Sequence, residues 1–255
     1  MATRTVQPSL DPLFQPRSRV GRELGIGIYA DGAMIEEMVA ACRDGMADGF
    51  TTNPTLMARA NVSDYREFAR EALSHIVDMP VSFEVFADDL AGMAGQAREI
   101  ASWGSNVFVK VPALNTRGIS TSPLVAELAA EGLRLNVTAI LALDQVAEVL
   151  EALPPEGPAI ISVFAGRVAD TGRDPVVHME KVVRLAASHP GVRVLWASPR
   201  EVLNLYQARD CGCDLIAITP DLLAKISLRD RDLREFSRET VRMFFDDATR
   251  AGYRL

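Results

Sequence analysis

Asn106-Val107-Phe108-Val109-Lys110-Val111-Pro112 is a strand-forming run interrupted by one ammonium group. Its apolar residues follow one another instead of alternating, which marks a strand covered on both faces, as the strands of a parallel sheet are. A lysine there must be paired, or neutral, or both, because an unpaired buried charge is too costly to keep. A neutral, desolvated amine is also a nucleophile, able to attack a carbonyl carbon and form a Schiff base. The competing reading of Lys110 is a structural ion pair at the mouth of a barrel, with Glu84 or Asp31 as its partner.

Outward from this strand the same kind of run recurs at Ile26 to Ala30, Gly49 to Thr52, Val81 to Phe86, Leu133 to Ile140, Ala159 to Phe164, Val192 to Ala197 and Asp214 to Ile218, which makes eight in all. Between them Tyr65 to Val77, Leu90 to Trp103, Leu124 to Gly132, Asp144 to Leu153, Val176 to Ser188 and Glu201 to Arg209 carry apolar residues at helical spacing. Strands and helices in alternation predict an α/β chain, and eight buried strands suit a closed (β/α)8 barrel of the TIM type, a single domain ringed by helices. A doubly wound open sheet is the alternative. Against it, no Gly-rich dinucleotide fingerprint follows the first strand, where Tyr29-Ala30-Asp31-Gly32-Ala33 stands instead.

The barrel is expected over residues 25–228, after a flexible tail over residues 1–24. The tail carries Arg4, Arg17, Arg19, Arg22 and three prolines. It lacks an apolar h-region, which argues against a secretory signal; the arginines would suit an organellar transit peptide, whose amphipathic helix the prolines oppose. An extra C-terminal helix is expected within residues 229–255. There Leu233, Phe236, Val241, Phe244 and Phe245 make an apolar stripe suited to packing on the barrel or on a neighbouring subunit.

Composition narrows the function classes. The chain has 255 residues, 48% of them hydrophobic, enough for a large core. Its 27 basic residues against 34 acidic ones give a net charge of −7, which argues against a general nucleic-acid binder, so no nucleic-acid partner is expected. No apolar run approaches the ~20 residues of a membrane span. Three cysteines, Cys42, Cys211 and Cys213, form no disulfide framework and suit the reducing cytoplasm. His75, His178 and His189 fall in helical stretches at no ligand spacing, so no metal site is expected.

A barrel enzyme gathers its chemistry where the strands end. Asp31 ends the first run; Thr51-Thr52-Asn53-Pro54 follows the second; Glu84, Lys110, Asn136 with Thr138, Ser162 with Arg167, and Ser198 with Arg200 belong to the third through the seventh. Any one of these could be a cap or a loop tether: Asp31 for the first helix, Asn53 for the turn before Pro54, Ser198 for the seventh helix. Structural polar residues, however, have no reason to choose the same end of so many strands.

These residues lie in segments that resemble the transaldolase family, including its smaller members and the fructose 6-phosphate aldolases: Asp31, Thr51-Thr52-Asn53-Pro54-Thr55-Leu56, Ser82-Phe83-Glu84-Val85, Val109-Lys110-Val111-Pro112, Asn136-Val137-Thr138, Ser162-Val163-Phe164-Ala165-Gly166-Arg167 and Ala197-Ser198-Pro199-Arg200. The resemblance runs from about Ile28 to about Leu223. It implies a cofactor-free class I aldolase chemistry in which Lys110 forms an imine with a ketose phosphate. Asp31 would take the proton of the hydroxyl on the fourth carbon, and Glu84 would move protons through a water held with Thr138. A dihydroxyacetone unit would then pass to an aldose phosphate, as in the pentose phosphate pathway. Thr51, Asn53, Asn136, Ser162 and Phe164 would contact the sugar, while Arg167, Ser198 and Arg200 would clamp its phosphate.

Simple aldol cleavage of the fructose 6-phosphate aldolase type is the alternative, as is a barrel isomerase or lyase that uses Lys110 only as a charge. Small relatives suggest a homo-oligomer. The chain departs from the family pattern at Gly32 and at Pro199, both beside expected pocket residues, and in the segment Asn115 to Pro123, which is longer than a loop after the fourth strand requires.

Overall fold

The structure, a computed structural model, describes residues 12–254. Eight parallel strands close into a barrel in chain order: β1 (Gly27–Asp31), β2 (Gly49–Thr51), β3 (Val81–Glu84), β4 (Val107–Pro112), β5 (Leu135–Ile140), β6 (Ala159–Val163), β7 (Val192–Trp196) and β8 (Leu215–Ile218). Each falls within or beside one of the apolar runs, and pairing of β8 with β1 completes the ring. The helices are α1 (Arg19–Leu24), α2 (Ile35–Arg43), α3 (Pro54–Arg59), α4 (Tyr65–His75), α5 (Leu90–Ala101), α6 (Ser122–Ala130), α7 (Leu143–Ala152), α8 (Ala165–Asp170), α9 (Pro175–Leu185), α10 (Leu203–Asp210), α11 (Pro220–Lys225) and α12 (Leu233–Ala251).

The reason for closure is visible in burial. Every residue of β6 and β7 is buried, so these strands have no face to leave in water. Helices on the outside and side chains on the inside cover the two faces. Helix starts follow local chemistry: the side chains of Asp64, Asp89 and Asp174 accept backbone N–H groups at the first turns of α4, α5 and α9.

The tail expected over residues 1–24 needs correction in its described part; residues 1–11 lie outside the described residues. Ser18 caps α1 by accepting from the Gly21 N–H, and the carboxylate of Asp48 accepts from the Ile28 N–H and the Ser18 hydroxyl, each at 2.8 Å. Phe14 is buried edge-on to Phe108, ring centroids 5.5 Å apart, with the Arg193 guanidinium 5.5 Å from its centroid. Phe108 and Arg193 stand near the N-terminal ends of β4 and β7. Phe14 therefore plugs the barrel floor, in one cluster with Tyr29, Ile160, Leu195 and Leu215. A basic, proline-rich composition masked one buried aromatic and one well-capped turn of helix.

Asn115 explains the long connection after β4. Its side-chain oxygen accepts from the N–H groups of Arg117 and Ile119 at 3.0 and 2.9 Å, and its amide donates to the Asp88 carbonyl at 3.1 Å. Leu114 bridges Ser120 antiparallel, and the Thr116 hydroxyl reaches Asp88 at 2.7 Å. The segment is an anchored turn.

The chain divides into two compact units, one ending at Leu223 and the other beginning at Ala224. In the second, Asp232 caps α12 by accepting from the Glu235 N–H, and Gly252 ends the helix at φ 70°. Among the described residues no helix is long and apolar enough to cross a membrane.

Candidate active site

A cavity of about 600 Å³ opens at the C-terminal ends of the strands, a size ordinary for a small-molecule site. Parallel register sets its centre. Glu84 on β3 lies beside Lys110 on β4, and Asp31 on β1 beside Thr51 on β2. Lys110, only 5% exposed, points its Nζ at Glu84 Oε2, 3.1 Å away, and donates to the Thr52 carbonyl at 2.7 Å. Of the two possible charge partners, Glu84 is the one in contact. Tyr65 steadies this edge, its hydroxyl donating to the Glu84 carbonyl at 3.1 Å, and burial pushes its phenol well above the usual range.

Asp31 accepts from the Thr51 hydroxyl at 2.7 Å. Burial raises its pKa above the ordinary carboxylate value, and the opposing pull of the Lys110 charge and of the Thr51 and Asn53 side chains does not cancel that rise. Asn53 also caps α3, its Oδ1 accepting from the Leu56 N–H at 3.0 Å. With that oxygen engaged, the amide nitrogen is the end left to face Asp31. Asp31 itself caps no helix, since Met34 occupies the N-cap of α2.

Thr138 and Ser162 line the same cavity. Thr138 Oγ1 is buried and has no hydrogen-bond partner among the described residues, an expensive condition unless something occupies the space before it. A bulge beside it breaks the register between β5 and β6, and Ala139 there takes φ 57°. Asn136, expected among the sugar contacts, stands behind the cavity's Ser162. Fully buried, it donates to Ser82 Oγ at 3.0 Å and accepts from Ser162 Oγ at 2.7 Å. It holds Ser162 from below, with one hydrogen bond at each end of its amide.

On the far side Phe164, Arg167, Ser198 and Arg200 line the cavity with Pro199. The Arg167 guanidinium lies 5.3 Å from the Phe164 ring centroid. Arg200 Nε donates to Asp170 on α8 at 3.1 Å, and this bond holds the Asp170 carboxyl below its usual range. Ser198 caps no helix; it sits at φ 61°, a strained choice for a residue other than glycine and narrowed further by the proline that follows.

The Ser198 carbonyl packs on Gly166, where an added Cβ would lie 1.5 Å from that oxygen. Gly166→Ala is therefore expected to cost about 3 kcal/mol of stability, at the upper end for overpacking, because the obstacle is backbone. Denaturant melts measure it, and a midpoint equal to that of the unchanged chain would contradict the contact.

Three cavity features had no sequence signal. The Thr52 carbonyl holds Lys110 through the backbone, Ala139 owes its place to a bulge, and Arg59 joins the wall from the end of α3.

Fold and cavity together define an α/β barrel with a buried lysine and two carboxylates at the strand ends, where barrel enzymes carry their chemistry. Residues 28–255 match the Transaldolase/Fructose-6-phosphate aldolase family, and the chain belongs to it. A "Probable transaldolase" of Roseiflexus sp. (strain RS-1) is 38% identical over 79% of this chain and 89% of its own. One from Dehalococcoides mccartyi is 34% identical over 78% of this chain and 89% of its own. Among solved structures, KGPDC from Streptococcus mutans superposes with a TM-score of 0.54 at 11% identity, covering 78% of this chain and 90% of that one. An HpcH/Hpal aldolase/citrate lyase family protein from Burkholderia cenocepacia J2315 gives 0.53 at 13% identity, over 86% and 98%. At such identities these two bear on the fold alone.

Proposed function

We propose that this chain transfers a dihydroxyacetone unit from a ketose phosphate to an aldose phosphate through a Schiff base on Lys110. The observation that carries the reading is a buried lysine facing a cavity that also holds Glu84, Asp31 and a threonine hydroxyl without a hydrogen-bond partner among the described residues. The amine attacks the C2 carbonyl, and loss of water from the carbinolamine leaves an imine. Protonated, that imine is an electron sink, so the bond between C3 and C4 breaks once Asp31 takes the proton of the C4 hydroxyl. Burial makes Asp31 a stronger base than an ordinary carboxylate, which suits that step.

Glu84, 3.1 Å from the amine, and Thr138 would hold the water that carries protons while the carbinolamine forms and collapses. Thr51, Asn53, Ser162 and Phe164 orient the sugar, and Asn136 acts by fixing Ser162. Arg167, Ser198 and Arg200 grip its phosphate, with Asp170 as the partner that Arg200 gives up or shares. The apolar stripe of α12 would be covered on the barrel or on a neighbouring subunit of a homo-oligomer.

Borohydride added with fructose 6-phosphate is expected to leave a covalent mass on Lys110. A second pair of incubations, with and without erythrose 4-phosphate, should yield sedoheptulose 7-phosphate only when the acceptor is present. Absence of the adduct would remove the imine. Free glyceraldehyde 3-phosphate and dihydroxyacetone accumulating without acceptor would make the enzyme a cleaving aldolase.

A further inference from the structure

Where β2 and β3 end, main-chain carbonyls are taken up by side chains: that of Thr52 accepts from Lys110 Nζ at 2.7 Å, and that of Glu84 accepts from the Tyr65 hydroxyl at 3.1 Å. The Thr52 side chain is a second hydrogen-bonding neighbour of the same phenol, and its own hydroxyl donates to the Ser82 carbonyl at 3.2 Å. Thr52 and Glu84 also hold the Lys110 amine, the first through its carbonyl and the second through its carboxylate 3.1 Å away. A single hydroxyl standing behind the cavity wall therefore reaches both supports of the amine.

Packing does not require that hydroxyl. Tyr65 opens α4, and its ring centroid stands 6.1, 5.3 and 5.3 Å from those of Phe83, Phe86 and Trp103. A phenylalanine would make the same ring contacts. Burial drives the phenol's pKa well above the usual range, so the group remains a neutral donor throughout the physiological range. The ladder between β2 and β3 pairs Phe50 with Val81 and Thr51 with Ser82, and it ends before Glu84 is reached. Beyond that point the tie through Tyr65 holds the two strand ends at their distance.

We propose that Tyr65 is a positioning residue for Lys110: its hydroxyl fixes the spacing of Thr52 and Glu84, and with it the direction from which the amine meets a carbonyl carbon. The inference rests on the imine reading of Lys110 and deepens it by a residue that touches neither the amine nor the sugar. A nucleophile displaced by about 1 Å can lose about a hundredfold in rate, so a small loosening of this cradle is felt in the chemistry.

Tyr65→Phe keeps the ring and removes the hydroxyl. With fructose 6-phosphate and erythrose 4-phosphate its kcat is expected to fall at least about tenfold while KM stays within about twofold, the pattern of an interaction felt in the chemical step. A second readout needs no sugar. The chain has three lysines, Lys110, Lys181 and Lys225, so lysine isotopically labelled at Cε gives an NMR spectrum simple enough for Lys110→Met to assign the Lys110 resonance by its loss. That resonance should move in Tyr65→Phe, and those of Lys181 and Lys225 should stay. An undiminished kcat, a loss confined to KM, an unmoved Lys110 resonance, or a variant that no longer folds would each overturn the proposal. Should the unchanged chain give no borohydride adduct, the imine reading fails by itself, and the Lys110 resonance still decides whether Tyr65 positions the amine.

Discussion

Lys110→Met is expected to lower turnover by at least about 10⁴-fold, the scale on which removal of a covalent nucleophile acts. Methionine fills the same space but has no lone pair that can form an imine. Lys110→Arg should be equally inactive, because guanidinium keeps its proton and cannot add to a carbonyl. An enzyme that used the residue only as a charge would retain activity in the arginine variant, so steady-state rates on the pair of variants decide between the mechanisms. Both variants leave Glu84 without its 3.1 Å partner amine. That loss is survivable, since the Glu84 side chain is 17% exposed and can be hydrated, and thermal melts should show a folded barrel.

Asp31→Asn should cost about 10³-fold in kcat, as expected when a positioned base is removed, and should also make the protein more resistant to heat. The second expectation follows from the direction of the Asp31 shift, which burial drives upward. A carboxyl whose folded pKa is raised binds its proton more tightly when folded. Its stabilising share is complete below the unfolded value and disappears as pH climbs through the folded one. Above that window the ionised group is a burden that asparagine does not carry. The difference in melting temperature between Asp31→Asn and the unchanged chain should therefore widen from about pH 4 toward neutrality. A difference that is flat with pH, or a variant that melts lower at pH 7, would mean that the charge on Asp31 is well solvated.

Most of this molecule was legible in its sequence because barrel strands have no polar face. Runs such as Ala159 to Phe164 mark strands covered on both faces, and a lysine inside such a run pointed to the cavity. Phe14 was hidden because one aromatic in a basic, proline-rich stretch has no periodicity to betray it. The partners of Asn136 were hidden for a different reason: position along a strand tells which way a side chain faces, but not which side chains of other strands it meets. Its two serine partners come from strands 54 residues before and 26 residues after it. Arg59 lay on a short helix with no buried face, where an exposed arginine reads as solvated until the cavity beside it is seen.

The Ser198 carbonyl resting on Gly166 ties the turn after β6 to the turn after β7 without any side chain. Arg167 and Arg200 are thus mounted on a common main-chain bracket, and the gap between them is a property of that bracket. If the two arginines grip a phosphate as proposed, exchanging either would change how strongly it is held while leaving the permitted width of the anion as it was. A redesign toward a broader or narrower acidic group would have to begin at positions 166 and 198, where no charge resides.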